Sequence, residues 1–389
     1  MKIAMIIPFL HYQTGGMERQ AWQLARQLTD QGVEVHFITG LRFWERWTRS
    51  LHQRDQIDGI IIHRLPGLYP PNASKLWPSE LIRGAKNIFK HERFDLIHAH
   101  QLFSAGLAAA VLKKLHRSPI IGKAAGGGRD GDISDLHHWP LTEKKLSYLR
   151  SIDRFIAITP QIADELKSIG VPDHQIIQIP NGVDTDLFAP PEVSREEAKQ
   201  KVGFNNQPIV IFIGRLIPTK QVDRLLRAWP RVIAQVPKAK LLLIGKPDSS
   251  STYSSQLRSL IQSDWKDSVI FKGTVELTRD WLQAADVFVL PSRAEGMSNA
   301  LLEAGSVGLP IVASSIPANQ YVLKNNKSAL VFAPNRTDEL AKHIITLLTQ
   351  PKFAQQLGQQ AKKDILERFS LKAVTNRYLN LYQELLGLK

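Results

Sequence analysis

The stretch Asp286-Val287-Phe288-Val289-Leu290-Pro291-Ser292-Arg293-Ala294-Glu295-Gly296-Met297-Ser298-Asn299-Ala300-Leu301-Leu302-Glu303-Ala304 decides the fold. Val287 to Leu290 is a short apolar run, stopped by Pro291, and reads as a buried strand. The residues that follow the loop are helix formers, so a helix comes next. Such a strand–loop–helix unit belongs to a parallel sheet covered on both faces. Two acids frame the turn: Glu295 on the loop and Glu303 about two turns into the helix. Ligands of open α/β sheets bind at the carboxyl ends of the strands. There the N–H groups of Gly296, Met297 and Ser298 would face an anion, helped by the helix dipole. A carboxylate that accepts from sugar hydroxyls, beside amides that hold phosphate, fits a sugar-nucleotide site.

Working outward, the same alternation fills the chain. In the first half the expected strands are Ile3–Phe9, Val33–Thr39, Gly59–Arg64, Leu96–Ala99, Ile120–Lys123, Arg154–Ile158 and Ile176–Ile179. In the second they are Pro208–Ile213, Lys240–Ile244, Val269–Phe271, Val287–Leu290, Ile311–Ala313 and Ala329–Phe332. The fold class is therefore α/β, with two doubly wound, Rossmann-like units in tandem. Their expected limits are residues 1–185 and 186–370. The boundary follows Pro180-Asn181-Gly182-Val183-Asp184, and residues 186–206 read as a linker. Residues 371–389 form a last helix, with Val374, Tyr378, Leu381 and Leu385 on one stripe, crossing back to the first domain. Two such domains facing each other would leave a central cleft for two substrates.

Composition narrows the partners. The 389 residues exceed one compact core, and Cys is absent, which removes disulfides and thiol chemistry. The opening apolar run is short and broken by Pro8, so it reads as a strand and not a signal sequence. No run approaches a membrane span, and a cytoplasmic location is expected. The net charge of +14 attracts anions such as nucleotide diphosphates or an anionic membrane face. Nucleic acid is the weaker reading and is not expected as a partner, since no recognition module or basic–aromatic sheet motif accompanies the charge.

Other segments carry candidate chemistry. Gly214-Arg215-Leu216-Ile217-Pro218-Thr219-Lys220 leaves a strand end with two cations that can converge on a diphosphate; a solvated basic loop is the plainer reading. Thr14-Gly15-Gly16-Met17-Glu18 opens a helix and lacks the third glycine of the dinucleotide fingerprint, so a tight turn explains it equally. Ala125-Gly126-Gly127-Gly128-Arg129-Asp130-Gly131-Asp132 reads as a mobile or ligand-hugging loop flanked by Lys123, Arg129 and Asp132. His98 and His100 flank Ala99 at a strand end, one expected to face inward and the other outward. Leu41–Arg54 reads as a helix with Trp44, Trp47 and Leu51 on one face, suited to a membrane interface or to a core. Trp77 joins these tryptophans as a candidate for lipid-linked or glycan contact.

Taken in order, these residues resemble the retaining glycosyltransferases of family 4, which have the GT-B fold. The resemblance rests on the glycine pair after strand one, Asp95-Leu96-Ile97-His98-Ala99-His100, Ile179-Pro180-Asn181-Gly182-Val183-Asp184, Gly214-Arg215 with Lys220, Phe271-Lys272-Gly273, and Glu295 through Glu303. It implies transfer of a hexose-type sugar from a nucleoside-diphosphate sugar, UDP in this reading, to a hydroxyl acceptor. The acceptor would be a glycan, lipid-linked or small-molecule glycoside of surface polysaccharide or glycoconjugate synthesis.

Arg215 and Lys220 would hold the diphosphate, Glu303 the ribose hydroxyls, and Glu295 the sugar near its anomeric centre. Gly16, Gly214, Gly296, Met297 and Ser298 would approach sugar or phosphate oxygens, and Thr274 and Val275 the base. No metal or cofactor is implied. The chain departs from the family where a Thr-x-His-Gly context is usual: here it reads Lys123-Ala124-Ala125-Gly126. Acceptor-side roles then fall to His100, Lys123, Arg129 and Asp132. Two alternatives belong to other classes: a sugar-nucleotide epimerase of GT-B-like fold, and a non-catalytic sugar-nucleotide or anionic-membrane binding protein.

Overall fold

Each apolar run becomes a strand of one of two sheets. The computed structural model describes residues 1–10, 15–40, 54–65, 77–128, 131–137, 142–247 and 252–388. The chain divides into two units, Met1–Asn181 with Leu371–Lys389, and Gly182–Ser370.

The first unit's described strands are β1 (Lys2–Phe9), β2 (Glu34–Gly40), β3 (Arg54–Ile57), β4 (Ile60–Leu65), β5 (Leu96–His100), β6 (Ile120–Ala124), β7 (Arg154–Ala157) and β8 (Ile176–Gln178). Their order in the sheet is β3-β4-β2-β1-β5-β6-β7-β8. The sequence direction reverses between β1 and β5, which places a topological switch point at their carboxyl ends. All the pairings are parallel except β3 with β4. That edge hairpin was not foreseen, and Arg54 belongs to β3, not to a helix. Its signal was the dipeptide Asp58-Gly59, whose φ angles of 52° and 79° make the tight turn. Residues 41–53, with Trp44 and Trp47, lie outside the described residues.

Helix Leu371–Leu385 belongs to this unit. Its Val374, Tyr378, Leu381 and Tyr382 are buried in one core with Ile3, Met5, Val35, Leu96, Ile121 and Ile156. The stripe read from the sequence is thus a packing face. Val183 donates its N–H to Phe369 O at 2.9 Å and bridges Ser370. That pairing draws the chain into the second unit directly after Asn181, a few residues before the expected limit.

The second sheet contains β9 (Ile209–Ile213), β10 (Lys240–Ile244), β11 (Val269–Gly273), β12 (Val287–Leu290), β13 (Ile311–Ser314) and β14 (Leu330–Phe332), all parallel. Its order is β11-β10-β9-β12-β13-β14, with the switch point between β9 and β12. The segment read as a plain linker contains helix Arg195–Lys201, started by a capping box in which Ser194 and Glu197 bond reciprocally. Among the described residues no helix is long and apolar enough to cross a membrane.

Candidate active site

In the second unit one of the two cations, Lys220, and one of the two acids, Glu295, come together at the switch point, and Arg215 lies on the same loop as the lysine. β9 runs straight into Gly214-Arg215, and a 3-10 turn, Pro218–Lys220, carries the lysine. β12, its neighbour, runs into the loop that carries Glu295. The two loops are tied by the main chain, Arg293 N–H to Thr219 O at 2.9 Å. They are also tied by charge. Lys220 Nζ donates to both carboxylate oxygens of Glu295, at 2.6 and 2.7 Å. Only 18% of the lysine side chain and 8% of the glutamate side chain is exposed, so the pair is weakly screened. Sequence reasoning put both residues in the site but missed their mutual contact, which links positions 75 apart. Arg215 is exposed.

Helix Asn299–Val307 begins after Ser298, whose side chain accepts from Leu301 N–H at 3.3 Å. The loop persists to Ser298, so Glu303 sits a little over one turn into the helix, not two. Glu303 is 3% exposed and accepts from Thr278 Oγ1 at 3.1 Å. That hydroxyl opens the helix following Thr274 and Val275, so the base-side loop and the acid are coupled. The N–H groups of Gly296, Met297 and Ser298, in the loop that leads into helix Asn299–Val307, make no hydrogen bond among the described residues.

Gly245 was missed. It directly follows β10 with φ 147°, and a Cβ there would stand 1.9 Å from Gly214 O. Gly214 N–H donates to Ile244 O and Gly245 N–H to Gly273 O, so three adjacent strand ends close up through glycine. The signal was a glycine directly after an apolar strand, Leu243-Ile244-Gly245.

In the first unit Gly16 opens helix Gly16–Thr29, with Gly15 as its cap. The Glu18 carboxylate folds over Gly15, where a Cβ would clash with it. The described part of the glycine-rich loop is held and not free: Asp132 accepts from Ala125 N–H at 2.5 Å and Glu165 from Gly128 N–H at 2.8 Å. Gly131 is obligatory, since a Cβ would lie 2.6 Å from Gly126 O. Arg129 lies outside the described residues, as does the side chain of Trp77.

His98 and His100 do not face opposite ways. Residues two apart on a strand share a face, and the rings lie 4.1 Å apart, both buried. Burial holds both imidazoles well below their usual pKa, hence neutral. His98 Nδ1 shares a 2.7 Å hydrogen bond with Tyr382 OH. Lys123, on β6 beside His100, donates to Asn181 Oδ1 at 3.1 Å.

Two α/β units, each a predominantly parallel sheet with a switch point, define the GT-B fold class. Comparison supplies the family. The pattern described as Glycosyltransferase Family 4 matches residues 14–187, and that described as Glycosyl transferases group 1 matches residues 194–364.

The chain is 31% identical to the GDP-mannose-dependent monoacylated alpha-(1-6)-phosphatidylinositol monomannoside mannosyltransferase of Corynebacterium glutamicum, over 75% of this chain and 79% of that one. It is 27% identical to D-inositol 3-phosphate glycosyltransferase 2 of Catenulispora acidiphila, over 89% and 85%. Its fold is similar to that of sucrose-phosphate synthase from Thermosynechococcus elongatus, with a TM-score of 0.84 at 23% identity and full coverage of both chains. The chain belongs to the family 4 glycosyltransferases.

Proposed function

We propose that this glycosyltransferase moves a hexose-type sugar from a nucleoside-diphosphate sugar, UDP in this reading, to a hydroxyl acceptor with retained anomeric configuration. One observation carries the reading: the Lys220–Glu295 pair joins the loops after β9 and β12 at the switch point, with Arg215 and Glu303 on the same two segments. The diphosphate would lie against Arg215, Lys220 and the open N–H groups of Gly296–Ser298. Glu303 would accept from the ribose, and Thr274 and Val275 would line the base.

As the bond from the anomeric carbon to phosphate oxygen breaks, negative charge grows on the leaving diphosphate. Fixed cations there stabilise the transition state more than the ground state, and no metal is needed in this reading. Glu295 has two tasks. It holds Lys220 at the switch point, and an oxygen of it accepts from a hexose hydroxyl once phosphate oxygens take up part of the ammonium's hydrogen bonding. The acceptor hydroxyl attacks from the leaving-group face and yields its proton to a donor phosphate oxygen. The acceptor in this reading is a glycan, lipid-linked or small-molecule glycoside, met in the cytoplasm. The net charge of +14 supports peripheral contact with an anionic inner membrane face.

The test is a panel of UDP- and GDP-hexoses assayed by mass spectrometry for slow donor hydrolysis without acceptor. Release of UDP from one UDP-hexose is expected. No release from any donor, together with no nucleotide-induced rise in Tm, contradicts the reading.

A further inference from the structure

Among the described residues, the first unit buries one cation, Lys123, beside no carboxylate. Lys123 stands at the carboxyl end of β6 and is 5% exposed. Its ammonium donates to a neutral amide oxygen, Asn181 Oδ1, and lies 5.7 Å from the centre of the Tyr378 ring. No carboxylate pairs with it among the described residues. Lys199, buried to the same 5%, meets Asp286 at 2.8 Å. A buried charge ordinarily finds an opposite charge or gives up its own. Burial lowers Lys123 only to about 8, so the ammonium persists at neutral pH.

The groups beside Lys123 are short of partners as well. His100, its register partner on β5, has a buried Nε2 with no hydrogen bond among the described residues. The same holds for His98 Nε2 and Tyr378 OH, and for Thr375 Oγ1 one turn before Tyr378. Buried polar atoms are nearly always satisfied, and a cluster of exceptions calls for a missing water or ion. A water would satisfy some of these atoms but would leave the ammonium unmatched. An oxyanion supplies several acceptor lone pairs and the charge together. The position suits a ligand, since these strands end at the sheet's carboxyl edge, next to the β1/β5 switch point.

We propose that Lys123, with His100, receives an oxyanion, phosphate or carboxylate, borne by the acceptor substrate. The word acceptor rests on the transferase reading above; the anion site itself does not.

The experiment is calorimetric melting of the full chain in saturating UDP, or GDP if UDP gives no shift, so that the donor side is already filled. Inorganic phosphate and malonate are then titrated against chloride at matched ionic strength. A saturable rise in Tm beyond chloride is expected from at least one of them, and the stronger identifies the acceptor's group. In Lys123→Met the rise should vanish, or its half-saturation should move up at least about tenfold. His100→Gln, which keeps the cation, should move it up about threefold and carries the test if Lys123→Met fails to melt cooperatively. No rise beyond chloride in the wild type, or an equal rise in Lys123→Met, overturns the proposal. A wild-type nucleotide shift without an anion shift overturns this inference alone, whereas absence of the nucleotide shift counts against the donor reading.

Discussion

Lys123 and Lys199 are buried to the same extent, one in each unit, and their surroundings differ in kind. Lys199 lies in a helix packed against its own unit and faces Asp286, which also accepts from Ile209 N–H at 2.7 Å and has Arg195 at 3.5 Å. Every charge there is answered within the protein, as in a structural anchor. Lys123 faces an amide, two neutral histidines and the Tyr378 ring. The difference teaches that burial alone does not classify a lysine. What matters is whether the fold or an incoming molecule supplies the opposite charge. Lys220 stands between the two: paired with Glu295 here, yet placed on the loop where a diphosphate would add its own charge.

The comparison can be broken most sharply at the donor side. Arg215→Ala should raise the barrier of donor turnover by about 2–4 kcal/mol, read as a fall in kcat at saturating donor. Near-normal turnover would reduce Arg215 to a solvated loop residue.

Lys123→Met should do the reverse of ordinary core damage and stabilise the protein. A lysine whose folded pKa is lowered from 10.5 to about 8 binds fewer protons folded than unfolded between those values. Stability therefore rises with pH across that window, and the full penalty, about 3 kcal/mol, is present below pH 8. Urea unfolding at pH 7 should show the variant more stable, with the advantage fading as pH climbs from 8 toward 10.5. A destabilised variant at pH 7 would mean the ammonium is matched by something unseen.

Lys199→Met should destabilise by about 1–3 kcal/mol in the same assay, because it leaves Asp286 without its nearest cation. Equal signs for the two lysine variants would erase the contrast. Ser194→Ala should cost about 1 kcal/mol through loss of the capping box, with no change in nucleotide affinity.

Much of this architecture was legible because it is local. Three- to seven-residue apolar runs became the parallel strands within a residue or two, and the stripe Val374, Tyr378, Leu381 became a core face. The turn from β12 into helix Asn299–Val307 gave the acids and open amides directly. What stayed hidden had two causes. Some signals were overshadowed: the Asp58-Gly59 hairpin followed a segment read as helical, and Ser194 with Glu197 sat in a charged stretch read as a linker. Others have no local signature. The Lys220–Glu295 pair, the hold of Glu165 on the glycine loop, and the company of Lys123 all join residues far apart in the chain. The histidine pair was misjudged on parity alone, since positions 98 and 100 must share a face.

The most direct measurement of the central claim is turnover of Lys220→Ala at saturating nucleotide sugar, beside the wild type. If the switch-point cations stabilise the departing diphosphate, kcat falls about 30- to 1000-fold while the protein still unfolds cooperatively. A kcat within about twofold of wild type would contradict the account, for the Lys220–Glu295 pair would then be only a strut between two loops.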